Sequence, residues 1–266
     1  MGAPIEARAG GGATGPGGET LGDAVHARIR ADILFGRLAP GARLRLDEAS
    51  RRYGVSVGTM RELLNRLASE GFVVAEAQRG FEVAPASATE FREIAALRRL
   101  LEGHALALSF AAGDLDWEAR VVAAHHKLAV TEQRLLAGTE ADPTLLRHCD
   151  RAFHQALTSA CGSRVLMETL GTIHDRYLRY LSLAAISRGE ASIREHADLR
   201  ACALARDADR ATRILTVHID GCLDCALADG PPAWASGPVP PDAPQAAASG
   251  RDAPARPKSG RAARRR

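Results

Sequence analysis

Residues 44–85 read LRLDEASRRYGVSVGTMRELLNRLASEGFVVAEAQRGFEVAP, and their punctuation decides the fold. A short run from about Leu46 to Tyr53 meets Gly54, a residue type that takes positive φ without steric cost and so suits a tight turn between helices. Ser56 stands where a hydroxyl caps a second helix running to about Ser69, and Met60, Leu63, Leu64 and Leu67 fall on one stripe of it. Two short helices joined through a glycine form a helix-turn-helix unit. Gly71 ends the second helix. Residues 72–76 and 80–84 then predict two short strands around a turn at 77–79, a hairpin that serves as a wing.

Upstream, Leu21, Val25, Ile29 and Ile33 recur every four positions and draw one stripe on a helix from Thr20 to about Leu38, closed by Gly36 and the APG at 39–41. Downstream, the SATE beginning at Ser87 has the form of a capping box. Residues 89–228 read as helix after helix, with breaks at 112–114, 142–143, 161–163, 188–190 and 206–209, and Pro143 suits a first helical position after Asp142. The expectation is a mainly α chain in four parts. A tail at 1–19 precedes a winged helix-turn-helix domain at 20–86. An all-helical bundle of about six helices without β content fills 87–229, and a basic tail ending in RAARRR fills 230–266. Both tails are too poor in patterned apolar residues to fold alone.

The chain has 266 residues and a net charge of +3, which divides as −1, +2, −3 and +5 over those four parts. Basic excess therefore sits in the winged segment and the last tail, which fits nucleic acid without proving it. No apolar run approaches the length of a membrane span, and no basic segment followed by a hydrophobic one opens the chain, so a cytoplasmic protein is expected. Five cysteines (149, 161, 202, 222, 225) scattered through helical sequence read as reduced thiols. Cys222 and Cys225 form a single CxxC without a second pair, so they are assigned to packing rather than to zinc.

A helix-turn-helix reads DNA with the N-terminal end of its second helix, while nearby basic groups hold phosphates. Here that end offers Ser56, Val57, Gly58, Thr59 and Arg61, with Arg45, Arg51, Arg52 and Arg66 around it. The wing tip, Gln78, Arg79 and Gly80, has the reach of the minor groove or backbone. For any single arginine the competing reading is a solvated helix face.

In the helical segment, CDRAFHQAL (149–157) sets Asp150 and His154 four residues apart on one helix face, with Phe153 and Leu157 on the core side. His196 in IREHADL and His218 in ILTVHIDG have similar helical settings. Three imidazoles and a carboxylate suit Zn, Ni or Mn with positions left for water or an anion. Sequence spacing alone does not bring the four together, and with nine histidines in the chain the alternative is ordinary boundary residues.

The stretches ILFGRLAPGARLR, YGVSVGTMRELLNRLASEGFV and QRGFEV resemble the GntR superfamily of bacterial transcription factors. The departure is at the recognition helix, where most of the family has Arg, Thr and Pro and this chain has Val57, Gly58 and Thr59; Arg61 matches the Arg of the family's VRE segment. The helical part resembles the FCD effector domain of the FadR branch, through LRRLLEGHALALSFA, DRAFH, REHADL and ARDADRATRILTVH. That resemblance implies a divalent metal on Asp150, His154, His196 and His218, and a carboxylate effector paired with Arg98 of the Arg98 and Glu102 motif. The competing reading of that motif is a surface salt bridge at i and i+4. Within the branch the sequence is most similar to the carbon-starvation-induced CsiR type linked to glutarate use, which implies a small dicarboxylate. His126 or His174 is expected to line the pocket.

Three functions follow: a dimeric, ligand-responsive repressor; a metal-dependent hydrolase with an accessory DNA-binding domain; or an architectural DNA binder driven by the basic tail. No HExxH or GxSxG supports the hydrolase. The repressor is the expected function.

Overall fold

The computed structural model describes residues 20–76, 80–139 and 142–228. The tails at 1–19 and 230–266, and the wing-tip residues Gln78 and Arg79, lie outside the described residues. Helix α1 (Leu21–Leu34) starts at Thr20, whose hydroxyl accepts the Asp23 N–H at 3.1 Å. Val25, Ile29 and Ile33 are buried, but Leu21 is 71% exposed: at the first residue of the helix no neighbour among the described residues covers it, so it does not belong to the predicted core stripe. The helix also stops at Leu34 rather than Leu38, because Gly36 turns to φ 73° and the Leu38 N–H folds back onto the Asp32 carbonyl at 2.9 Å.

Helices α2 (Leu46–Tyr53) and α3 (Val57–Ser69) are joined through Gly54 at φ 72°, a left-handed position open to glycine. The Ser56 hydroxyl caps α3 by accepting the Thr59 N–H at 3.1 Å. The wing is β2 (Val73–Glu76) and β3 (Gly80–Val83), and β1 (Arg43–Leu44) adds a third antiparallel strand in the order β1-β3-β2. Strand β1 pairs Arg43 with Glu82 and Leu44 with Phe81. It is two residues long, too short to carry a period-2 pattern, and only the presence of β3 makes it a strand. Met60, Leu63, Leu64 and Leu67 bury against Ile29, Ile33, Phe72 and Val83 to form this domain's core.

Six helices follow: α4 (Ala88–Ala112), α5 (Leu115–Leu136), α6 (Pro143–Thr158), α7 (Arg164–Leu183), α8 (Glu190–Ala205) and α9 (Ala208–Leu227). Among the described residues of this part there is no strand. Helix α4 packs along α9, α7 and α6, while α5 bridges α6 and α8. The core runs through Phe91, Leu106, Trp117, Phe153, Leu157, Tyr177, Leu199 and Leu215. Ser87 caps α4 by accepting the Glu90 N–H at 3.1 Å, but the capping box does not close. The Glu90 carboxylate turns instead to Tyr180 and Arg176, and the Ser87 N–H donates to the Tyr180 hydroxyl at 3.2 Å. Partners on α7, absent from any local motif, win the competition. No helix among the described residues is long and apolar enough to cross a membrane. Of the CxxC pair, Cys222 is buried and Cys225 exposed, and neither joins the cluster of metal-ligating groups.

Candidate metal centre and DNA-reading helix

The N-terminal end of α3 is a surface. Ser56, Val57, Gly58 and Arg61 are exposed and Thr59 is half-buried, because the helix turns its Met60, Leu63, Leu64 stripe inward. The arginines around it differ in what they are free to do. Arg45 lies 3.6 Å from Glu48, Arg52 lies 3.5 Å from Asp32 and over the Tyr53 ring, and Arg66 lies 3.1 Å from Asp23. Arg61 is exposed and has no ion-pair partner among the described residues. Gly80, the described end of the wing tip, is exposed at φ 92°.

The interior of the helical part is organised around charge. Asp150 and His154 on α6 meet His196 on α8 and His218 on α9, with one ligand atom from each lying within 4.8 Å of all the others. All four are buried, His154 to 1% exposure. Each imidazole is held from behind by a glutamate: His154 Nδ1 by Glu102 at 2.5 Å, His196 Nδ1 by Glu132 at 2.8 Å, and His218 Nδ1 by Glu195 at 2.9 Å. A Nδ1–H bonded to carboxylate leaves the Nε2 lone pair facing the centre. The Nε2 atoms of His154 and His196 are buried without hydrogen-bond partners. Orphaned buried acceptors are costly, and these two, with His218 beside them around one carboxylate, make a set of donors of the kind that can hold a divalent ion.

The electrostatics agree with that geometry. Burial opposes charge on every group here. For His196 the approach of Asp150 at 3.5 Å and the hydrogen bond to Glu132 outweigh it and raise the pKa to about 9, whereas burial lowers His218 to about 3. Burial likewise lowers His154 and His174, while the imidazoles of His174 and His196, each 3.5 Å away, hold Asp150 well below the usual carboxylate range against its own burial.

Arg98 and Glu102 are a buried pair, both 0% exposed, with Arg98 Nε donating to Glu102 Oε2 at 2.8 Å. The surface salt bridge suggested by the i and i+4 spacing is thereby excluded. Arg98 also lies over the Tyr177 ring at 4.5 Å, and its Nη2 has no partner.

Two cavities flank the cluster. One of about 760 Å³ lies between α1, α6 and α7, reaches Glu102, His154 and His174, and is walled by residues such as Leu34, Phe35, Leu170 and Leu178. The other, about 40 Å³, touches Arg98, Asp150, His196 and His218. Arg147 borders both, and among the described residues its guanidinium donates to the carbonyls of Leu181 and Ile186. His174 lines the larger cavity; His126 points outward.

Residues 21–83 match the model of the bacterial regulatory proteins of the gntR family, and residues 93–221 match that of the FCD domain. The HTH-type transcriptional regulator BphR of Paraburkholderia xenovorans is 41% identical over 77% of this chain and 84% of its own. The HTH-type transcriptional repressor GlaR of Escherichia coli is 32% identical over 72% of this chain and 89% of its own. The chain belongs to the GntR family. Among solved structures, Escherichia coli McbR/YncC superposes with a TM-score of 0.68 at 20% identity, over 79% of this chain and 98% of the other, and so shares its fold.

As a GntR regulator with an FCD domain, the protein is a DNA-binding transcriptional regulator and not an enzyme, and its helical domain is of a type that implies a small-molecule effector. The hydrolase alternative falls with that membership. Sequence reading of this GntR chain missed Glu132 and Glu195, and it gave Arg147, Arg151 and Asp175 no role. Glu195 is the neighbour of His196 in sequence yet bonds His218, and Glu132 lies on another helix from its partner. No linear signal marks either.

Proposed function

We propose that this GntR regulator is a dimeric repressor whose operator affinity is set by a small carboxylate bound at a divalent metal, Zn, Ni or Mn, on Asp150, His154, His196 and His218. The observation that carries the reading is the orientation of the imidazoles: each Nδ1 is committed to a glutamate, and the Nε2 atoms turn toward one buried carboxylate. The ion would supply a fixed positive centre for an acid. Arg98, through its unpartnered Nη2, and Arg147, without a carboxylate partner, are the guanidiniums placed to pair with that acid. Glu102 contributes by positioning, since both of its oxygens are taken by Arg98 and His154.

On the DNA side, Ser56, Val57, Gly58, Thr59 and Arg61 enter the major groove. Arg45, Arg52 and Arg66 hold phosphates, and the wing tip, Gln78, Arg79 and Gly80, follows the backbone. Val57 in place of the family's usual arginine predicts an operator unlike that of most relatives. The repressor sense is supported by the GlaR relative, and the similarity to the CsiR type favours a small dicarboxylate. The protein then works in the cytoplasm, as domains 20–86 and 87–229, with its basic tail adding only nonspecific affinity.

Elemental analysis of purified protein alongside His154→Ala tests the metal, and operator titrations with and without glutarate and its shorter and longer homologues test the effector. Equal metal content in both proteins would remove the first claim. Operator affinity that no dicarboxylate changes would remove the second.

A further inference from the structure

The larger cavity is not enclosed by the helical domain alone: Arg30, Leu34 and Phe35 of α1, a helix of the DNA-binding domain, form one wall. At that wall stands Asp175 on α7, 0% exposed, whose carboxylate is shared by arginines from both domains. Arg30 of α1 pairs with it. From α6, Arg151 pairs with it through Nε and, at 3.1 Å, through Nη2.

Each of these α6 and α7 residues is the chain neighbour of a group at the cluster. Arg151 follows Asp150. Asp175 follows His174, whose Nε2 lies 3.5 Å from Asp150 Oδ2. Consecutive residues on a helix point about 100° apart, so a dipeptide can face two directions at once. Asp150 with Arg151, and His174 with Asp175, each turn one side chain to the cluster and the next to the domain boundary. Beyond that boundary Arg30 donates through Nε to Glu70 at 2.9 Å, and Glu70 is the C-terminal cap of the DNA-reading helix α3.

We infer that Asp175 is the coupling post of the protein. Occupancy at Asp150 is passed by His174 and Arg151 to Asp175, and from there by Arg30 to the end of α3. This rests on the metal reading above and adds the route by which that site reaches DNA. An ion drawing on Asp150 takes carboxylate density away from His174, and the two side chains then settle differently around Asp175. A ligand shifts an equilibrium only by binding its two states unequally, and the post is where such a difference reaches α1. Among the described residues, Asp175 pairs with arginines of both α1 and α6, which makes it a point at which this route can be cut.

The test compares full-length wild type, Asp175→Asn and Arg30→Gln, using nickel ion alone as the probe. Operator affinity is read by fluorescence anisotropy, nickel content by elemental analysis, and amide exchange over residues 26–34 and 147–158 by mass spectrometry. For wild type, nickel should change operator affinity by roughly 5- to 150-fold, the usual span of an allosteric coupling, and alter exchange in both segments. Asp175→Asn should hold the same nickel and keep the response in 147–158, yet lose the response in 26–34 and bring the coupling below about twofold. Arg30→Gln should do the same from the other domain, which covers the case in which Asp175→Asn folds poorly. If either folded variant keeps the full nickel response, the relay is wrong while the metal site stands. Nickel bound by wild type with no effect on 26–34 or on the operator also overturns it. Wild type that takes up neither nickel nor, in the same measurement, zinc or manganese fails the metal reading itself, before any variant is made, and the relay with it.

Discussion

The end of α3 and the cluster behind α6 are both polar sites on helices, yet they are built in opposite ways. At the end of α3 most groups are exposed and each holds its own separate partner: Ser56 caps a residue three positions on, and Arg45 and Arg66 pair at the surface with Glu48 and Asp23. At the cluster the four candidate ligands are buried and each imidazole is bonded to a glutamate far along the chain, 52 positions apart for His154 and Glu102 and 64 for His196 and Glu132. A surface site can lose a member without disturbing the rest. A buried one cannot, because each group that remains keeps its desolvation cost and loses its compensation.

The contrast is sharpest for His154→Ala. It should abolish metal binding and leave Glu102 with one buried partner instead of two, at a cost of about 3–5 kcal/mol in chemical denaturation. A variant that unfolds like wild type would break the comparison.

Next in size is a pH effect confined to the buried site. Without metal, His196 has its pKa raised to about 9, so its stabilising contribution is complete below the ordinary histidine value of 6.5 and is lost as pH rises through 9. His218, lowered to about 3, acts with the opposite sign and costs stability as pH falls below 6.5. The unfolding temperature in chelator should therefore peak near pH 6.5 and fall by several degrees toward pH 9, and His196→Gln should flatten the alkaline side. Metal affinity should rise over that alkaline range as the competing proton leaves.

At the exposed site, Arg61→Ala should weaken operator binding by roughly 1–3 kcal/mol with no change in unfolding temperature. Glu132→Gln should reduce metal affinity about 10- to 100-fold while leaving operator binding by metal-free protein unchanged, as isothermal titration would show. Smallest of all, Leu21→Ala should shift stability by less than about 0.5 kcal/mol, since the side chain is already in water.

Much of the fold was legible because its signals are short-range. The α2–Gly54–α3 unit follows from one glycine, one serine and a stripe of four apolar residues, and the breaks between α4 and α9 follow from glycines and caps. What was misread sits where a distant partner overrides a local pattern. Leu21 keeps the stripe spacing but, among the described residues, stays 71% exposed. Glu90 has the capping-box position, yet Tyr180 and Arg176 claim its carboxylate. Arg98 and Glu102 have the spacing of a surface pair but lie at the centre of the bundle. The candidate metal donors were named from sequence through a family resemblance, whereas the glutamates behind them were not.

The sequence by itself determined the order of helices and strands, the exposed reading end of α3, and the residue types available for a metal. Those depend on caps, turns and periodicity within a few residues of each other. Only the tertiary structure decided that His154, His196 and His218 face one carboxylate, that each is backed by its own glutamate, and that Asp175 is shared by arginines from two domains. Convergence of groups far apart in the chain is fixed by how amphipathic helices pack, and no local spacing encodes the angle at which two helices meet.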